Sequence, residues 1–501
     1  MPNILLIFPD QWRGDCLGTL DTKGALGNTG ALGNPAVETP FLDQLAHEGV
    51  TFTSAYSVCP SCIATRACLA TGQSPSTCGR IGYLDGVPWR YDTTLMSVLR
   101  DGGYQTLCSG KTHFYPQRAH LGFEQLRLYD PQNHEGDFRS DYHVWLERET
   151  NGLVRDTAIE VSTNSWIAHP WVHPEYLHPN CWTVDAAIEL LERRDPQRPF
   201  FLQVGFHRPH PPYDPPIDTF RTYLEARLPP VPVGNWALEN DREAGTVDAR
   251  SGRLPDHILD RTRRAYYAQL THLDYQIGRL FRWLTVRKWL DNTYVIFLSD
   301  HGELLGDHYL FSKFTPHEGS AKVPLIIRPP KHSDHERGIA CRTPVTHMDI
   351  MPTLLEEAGL PIPGTVEGMS LAPLIRGRNL EGRDFIHGEH APGEGKSESW
   401  QFLTDGKRKF LWDAVTGRSW YFDLEKDPQE VFDLSEDPRY RSEVDLWRGR
   451  LIELLADRPQ DELSDGKRLL SGHGLPPVRP ELMEERNDPD GRARPTFRLT
   501  P

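Results

Sequence analysis

The chain has 501 residues, 38% of them hydrophobic, and a formal net charge of −15. That length makes two to three average domains, or one large α/β domain with an appendage. The acidic balance excludes a nucleic-acid or anionic-membrane partner, because both require a basic face, and it means that an anionic substrate would need a local cationic pocket.

The opening residues Met1-Pro2-Asn3 supply no basic n-region, and the apolar run after them is far too short for a signal segment. No apolar stretch approaches the ~18 residues of a membrane span. With eight cysteines scattered without a framework, the chain reads as cytoplasmic, in a reducing compartment. Residues 4–8 form a continuous apolar run, which predicts a buried central strand. It ends at Pro9-Asp10-Gln11, and ligands gather at the C-terminal ends of strands in open α/β sheets, so Asp10 is a candidate cation ligand. Between residues 23 and 40, Gly-Ala-Leu-Gly-Asn occurs twice; the segment lacks the lysine and helix of a phosphate cradle and reads as a surface loop. Thr39-Pro40 opens a short helix that stops at Gly49, and residues 50–56 are predicted to form one strand.

The stretch Cys59-Pro60-Ser61-Cys62-Ile63-Ala64-Thr65-Arg66 then runs through small and apolar residues into Thr71-Gly72. If a helix starts near Ala64, Cys62 lies at its N-terminus, where free N–H groups and the helix dipole favour an anion. One turn in, Arg66 would grip the same anion. A Cys-x-x-Cys also suits a zinc half-site or a redox pair, yet no second pair exists, and the chain is far longer than a thioredoxin-like domain. Cys59, Cys68 and Cys78 read as buried structural thiols, and for Cys62 alone structure and function remain open.

The stretch resembles the signature of the type I sulfatases of the alkaline phosphatase superfamily, Cys-x-Pro-Ser-Arg followed by small residues and Thr-Gly. Cys62, Arg66, Thr71 and Gly72 match it, with Ala64 and Thr65 in place of proline and serine. The resemblance implies that a maturation enzyme oxidises Cys62 to formylglycine, whose hydrate is the nucleophile. It also implies a divalent cation, calcium first and manganese second, held at the first strand end by Asp10. Where the family has a second acid stands Gln11.

Further along, residues 104–108 predict a strand ending in Gly110-Lys111-Thr112-His113, a pairing able to bind an anion and move a proton. The family has Gly-Lys-x-His at the corresponding place. Residues 166–178 are dense in aromatics and histidines, either a substrate platform or an ordered loop packed on the body. Residues 184–193 predict a helix and 200–206 a buried strand, ending in His207-Arg208-Pro209-His210. The family's His-x-Pro segment lines the sulfate pocket, which points to His210, with His207 beside it. A long amphipathic helix follows, with Tyr266, Leu270, Leu273, Ile277, Leu280, Phe281 and Leu284 on one face. Residues 294–298 are a buried strand delivering Asp300 and His301, which by the resemblance complete the cation site with Asp10, Gln11 and Cys62. Lys313 matches the family's second pocket lysine.

From residue 385 the texture becomes that of a small antiparallel sheet, with a hairpin across residues 408–424 and a closing helix bearing Val444, Trp447, Leu451 and Leu454. Beyond residue 458 the chain is rich in proline and charge, and reads as an arm onto another subunit or a loose tail. The expected fold is therefore an alkaline-phosphatase-like α/β sandwich with a mostly parallel central sheet over residues 1–380, an α+β subdomain over 381–457 and a tail over 458–501.

The resemblance implies hydrolysis of an aryl or carbohydrate sulfate ester. Arg66, Lys111 and Lys313 would hold the substrate oxygens, His210 or Lys313 would protonate the leaving group, and His113 would act as the base that releases sulfate. Two alternatives stand beside it. Phosphonate monoester hydrolases and phosphodiesterases of the superfamily share the Asp-Gln and Asp-His pairs, and a non-catalytic anion-binding protein would keep Cys62 unmodified.

Overall fold

Every residue from Ile4 to Asp10 is buried, as the continuous apolar run requires of a strand covered on both faces. The computed structural model describes residues 1–18, 33–131, 138–156, 164–378, 383–392 and 398–483. The strands in chain order are β1 (Asn3–Asp10), β2 (Val50–Phe52), β3 (Ala55–Tyr56), β4 (Gln105–Gly110), β5 (Gln125–Leu128), β6 (Phe200–Pro209), β7 (Thr293–Leu298), β8 (Leu325–Arg328), β9 (Ile339–Cys341), β10 (Val345–Thr346), β11 (Ile386–His390), β12 (Trp400–Thr404), β13 (Arg408–Asp413) and β14 (Ser419–Asp423). Eight of them form one sheet in the order β5-β4-β6-β1-β7-β8-β2-β9. Only β8 pairs antiparallel with its neighbours; the others share one direction. The ends of β1, β4, β6 and β7 therefore open on the same edge.

Period-two alternation along β1 divides the interior. Ile4, Leu6 and Phe8 join the core that includes Ile63, Ala67, Leu95, Leu99, Ile350 and Leu354. Leu5 and Ile7 join the opposite core with Leu42, Leu45, Val184, Leu190, Leu270 and Ile277. Helices α1 (Pro40–Glu48), Pro179–Glu192 and the long Asp256–Val286 thus cover one face, while α2 (Cys62–Thr71), Leu95–Asp101 and Ile350–Glu357 cover the other. Among the described residues no helix is long and apolar enough to cross a membrane.

The predicted strand over residues 50–56 is two strands in different sheets. β2 pairs with β8 and β9, whereas β3 pairs with β10. Thr53 and Ser54 make the break, the N–H of Thr53 donating to the Cys341 carbonyl and that of Val345 to the Ser54 carbonyl. Most of the twofold Gly-Ala-Leu-Gly-Asn repeat lies outside the described residues. Residues 166–178 are an ordered loop: Ala168 and Trp171 bridge to Tyr213 and Pro216, and Trp171 is buried.

β11 to β14 form an antiparallel sheet in chain order. Its alternation splits again: Phe402, Leu411, Trp420 and Phe422 extend the main core, whereas Leu403, Phe410, Trp412 and Tyr421 pack on Val444, Trp447 and Leu451 of the helix Arg441–Ala456. From residue 458 through 483 the chain packs on the body, so this part of the expected tail is not loose. The N–H groups of Ile81 and Gly82 donate to the Pro477 carbonyl, Leu475 and Val478 are buried, and Arg458 pairs with Glu389 and Asp461.

A buried charge cluster locks the C-terminal sheet to the main body. Lys409 lies 2.9 Å from Glu318 and 3.0 Å from Glu430, and Glu430 also accepts from the Glu318 N–H at 2.7 Å. Burial pushes Glu430 up to about 7, Glu318 adding to the rise and Lys409 opposing it. Because the folded value exceeds that of an unfolded glutamic acid, the group's contribution to stability is full below pH ~4.5 and is lost as pH rises toward 7. Glu430→Gln, with Lys409 still paired to Glu318, is expected to remove this slope and gain on the order of 1–3 kcal/mol relative to the parent at pH 8. Thermal unfolding at pH 5 and pH 8 reads the difference, and equal slopes for the two proteins would contradict it.

Candidate active site

Helix α2 begins at Cys62, follows an extended Ser61, and is buried over all ten of its residues. Alanines at 64, 67 and 70 make that possible, since a helix without long side chains docks closely on both neighbours. Thr65 ties the entry down, its hydroxyl donating to the Cys59 carbonyl at 2.7 Å and lying 2.7 Å from the Ser57 hydroxyl. The C-terminal stop is Gly72 at φ 68°, a left-handed cap where a Cβ would also meet Val366 at 2.9 Å. None of the eight cysteines is in a disulfide; Cys59, Cys68 and Cys78 are buried core thiols.

Cys62 points at the ends of β1 and β7. Its Sγ lies 3.1 Å from His301 Nε2 and 3.6 Å from Asp10 Oδ1. His301 Nδ1 donates to the Gly302 carbonyl at 2.9 Å, which leaves the Nε2 lone pair facing Cys62 and Asp10, as a ligating imidazole requires. Burial holds His301 below its ordinary pKa. Asp10, Cys62, Asp300 and His301 bring ligand atoms within 4.8 Å of one another, a donor set of carboxylates, imidazole and sulfur that fits a divalent cation.

Cations surround this cluster. Lys111 Nζ is 2.6 Å from Asp10 Oδ2. Although burial opposes it, the charge of Lys111 first, and that of Lys313, hold the Asp10 carboxyl well below the usual range. Arg66, expected to grip an anion, is committed to the carboxylates: Nε and Nη2 donate to Asp300 Oδ2 at 3.1 and 2.9 Å, Nη1 donates to the Lys111 carbonyl at 3.3 Å, and the guanidinium lies over the Phe8 ring. It positions Asp300. Gln11, at φ 74°, is strained into place by its neighbours. Its N–H donates to Asp300 Oδ1 at 3.0 Å, its amide nitrogen donates to Glu303, and its Oε1 accepts from Lys313 Nζ at 2.7 Å.

The remaining candidates are buried around the same cluster. His113, also at positive φ, holds Asp85 at 3.3 Å through Nε2. Burial and Lys111 push it down, but hydrogen bonds to Asp85 and Cys62 bring it to about 9. His207 Nδ1 accepts from Arg208 Nη1 at 2.7 Å, so its proton sits on Nε2, which has no partner among the described residues. His210 donates from Nδ1 to the Pro211 carbonyl at 3.0 Å, and the two histidine rings are 4.8 Å apart. Burial keeps both far below the ordinary histidine value, neutral at pH 7.

Two partners escape sequence reasoning. Arg208, buried and bidentate to Asp214 at 2.6 Å through both nitrogens, sets the His207 tautomer. It lies inside the quoted His-Arg-Pro-His stretch, and an acid six residues later was the available signal. Asp85 orients His113 from an irregular segment with no such signal.

Comparison with known proteins agrees with this geometry. The sulfatase family model matches residues 2–360. The chain belongs to the sulfatase family. A second model, N-sulphoglucosamine sulphohydrolase, C-terminal, matches residues 306–457 of the sulfatase. Among curated relatives, an arylsulfatase of Clostridium perfringens is 41% identical over 94% of this chain and 98% of its own length. A choline-sulfatase of Rhizobium meliloti is 30% identical over 87% and 83%. The structure of a phosphonate monoester hydrolase of Agrobacterium radiobacter superposes with a TM-score of 0.74 at 26% identity, covering 92% of this chain and 96% of that one. The fold is thus alkaline-phosphatase-like, and the protein is a sulfatase, a hydrolase of sulfate esters.

Proposed function

We propose that this sulfatase cleaves an aryl or carbohydrate sulfate monoester through a formylglycine made from Cys62 by a maturation enzyme. The observation that carries the reading is the placing of Cys62 at the mouth of a buried helix, in contact with Asp10 and His301 and ringed by Lys111, Lys313 and His113. The cation would be held by Asp10, Asp300 and His301 with the Gln11 amide oxygen, calcium being the first choice and manganese the alternative. When bound, it supplies positive charge beside the reacting sulfuryl oxygens.

The hydrate at residue 62 would supply the nucleophile, one hydroxyl losing its proton to solvent as its oxygen bonds to sulfur and the bond from sulfur to the departing oxygen, in line with it, breaks. Lys111 and Lys313 hold the charge on the equatorial oxygens, while Arg66 keeps Asp300 and Asp10 in place. Of the two expected proton donors, His210 has spent its proton on the Pro211 carbonyl, so Lys313 is the donor to the leaving alcohol or phenol. His207 contributes its Nε2–H as a hydrogen-bond donor to a sulfate oxygen. Conversion of Cys62 removes one of the two hydrogen bonds that hold the His113 proton; in its neutral form His113 then takes the proton of the remaining hydroxyl, the C–O bond to sulfate breaks, and the aldehyde is restored.

Peptide mass spectrometry across Cys62, on protein co-expressed with a maturation enzyme, tests the reading. Conversion of thiol to aldehyde lowers the mass by about 18 Da, a change of oxidation state at the side chain. Free thiol throughout, with a control substrate converted, would leave the anion-binding alternative. Chelation is expected to bring turnover to background and lower the thermal midpoint, since an ion present at 100 times its Kd contributes about 2.7 kcal/mol; recovery with calcium or manganese identifies the ion.

A second reading, phosphonate monoester or phosphodiester hydrolysis, is favoured by Gln11 beside Asp10, by His301 beside Asp300, and by the structural likeness to a phosphonate monoester hydrolase. The ratio of kcat/KM for a sulfate monoester and a phosphodiester with the same leaving group separates the two.

A further inference from the structure

Away from the candidate active site, and sharing no residue with it, a second group of ligand-bearing side chains is packed between three elements. The short turn Glu175–Leu177 supplies Glu175, the first turn of Pro179–Glu192 supplies Cys181, and the middle of Asp256–Val286 supplies His272. His272 Nε2 lies 3.2 Å from Glu175 Oε1 and 3.8 Å from Cys181 Sγ. All three ligand atoms lie within 4.8 Å of one another. Around a tetrahedral zinc, with bonds of about 2.0–2.1 Å to nitrogen and oxygen and 2.3 Å to sulfur, the nitrogen–oxygen edge is about 3.3 Å and the nitrogen–sulfur edge about 3.6 Å. The observed separations are close to those edges.

A fourth donor comes from the same helix face. Gln276 follows His272 by one turn, and its Nε2 stands 3.3 Å from His272 Nε2 and 3.4 Å from Glu175. Its Oε1 is buried with no hydrogen-bond partner among the described residues. Exchanging the oxygen and nitrogen of this amide aims Oε1 at the point that His272, Cys181 and Glu175 already face. The Asn180 amide, 3.3 Å from His272 Nδ1, would in its exchanged form accept the Nδ1 proton, fixing the tautomer with the Nε2 lone pair inward. Cys181, His272 and Gln276 are buried, whereas Glu175 is exposed, so the cluster is prebuilt and has an entry from solvent.

We propose that Glu175, Cys181, His272 and Gln276 bind a zinc ion at a site separate from the catalytic one. The thiolate, imidazole and carboxylate set selects a borderline-soft ion over calcium, and the two anionic ligands neutralise its charge. Binding replaces the S–H bond of Cys181 by a sulfur–zinc bond and releases one proton to solvent. The ion ties the start of Pro179–Glu192 to the long helix.

Cobalt(II), the coloured stand-in for zinc, tests this on the full chain carrying Cys62→Ala, which removes the thiol at the catalytic centre. A sulfur-to-cobalt charge-transfer band in the near ultraviolet is expected, abolished by added zinc and absent when Cys181→Ser is introduced. Glu175→Gln, at an exposed position that leaves the fold intact, should keep the band and weaken cobalt binding by about tenfold or more, the range that even outer partners of a metal command. No band at saturating cobalt, or a band that persists in Cys181→Ser, overturns the proposal. If Cys181→Ser does not fold, unchanged affinity in Glu175→Gln overturns it alone.

Discussion

Cys62→Ala is expected to fold like the parent and to lose essentially all sulfate ester hydrolysis, with kcat falling by roughly 10⁴–10⁶ as for removal of other enzyme nucleophiles. The fold should survive because Cys62 contributes little to the packing of α2. The helix is capped at its entry by the Thr65 contacts and at its exit by Gly72, and alanine at the first helical position is well tolerated. Lys111, Asp10, Arg66 and Asp300 keep one another neutralised without the sulfur. Circular dichroism and a thermal midpoint close to the parent's would establish the fold, and substrate binding without turnover would place the loss in the chemical step. Turnover within tenfold of the parent would remove Cys62 from the reaction.

Arg208→Met is expected to cost about 3–5 kcal/mol of stability, the usual consequence of leaving one member of a buried ion pair without its partner. Asp214 is ionised in the fold, held well below the ordinary carboxylate range by Arg208 and His178 against the effect of burial. After the substitution it keeps, among the described residues, the Gln269 amide at 2.9 Å and the more distant His178. The same change takes away the donor that keeps His207 Nδ1 an acceptor. Hydrolysis should then fall because the Nε2–H is no longer assured. Urea unfolding and kcat measured in parallel with the double variant Arg208→Met/Asp214→Leu distinguish the two effects. Removing both charges should restore most of the stability while kcat stays low. If kcat recovered together with stability, Arg208 would be a structural residue only.

What was legible in the sequence follows from where the site lies. Asp10, Lys111, His207, His210, Asp300 and His301 each come within a few residues of an apolar run, so locating the strands located the site. Cys62 and Arg66 were legible from their spacing. What stayed hidden depends on partners remote in sequence. Gln11 was legible as a candidate ligand, but not that its amide oxygen also meets Lys313, 302 positions away. Arg66 looked like an anion clamp, but the carboxylates that occupy it come from β1 and from beyond β7. Asp85 reaches His113 from an irregular segment, where no periodicity reports on neighbours. In the last part of the chain, proline and charge masked Leu475 and Val478, two apolar side chains sufficient to hold it against the body.

The complete burial of α2 bears on how an active molecule is made. Cys62 has no exposed surface, and the helix it begins is enclosed on all sides. Under the proposed chemistry, an oxidising enzyme must therefore reach the thiol before α2 docks on the sheet. Folding and maturation then compete for the same nascent segment, and the outcome is kinetic: a chain that folds first is locked in its thiol form until it opens again. The active fraction of a preparation would be decided during synthesis, by the rate of α2 docking against the supply of the oxidising enzyme.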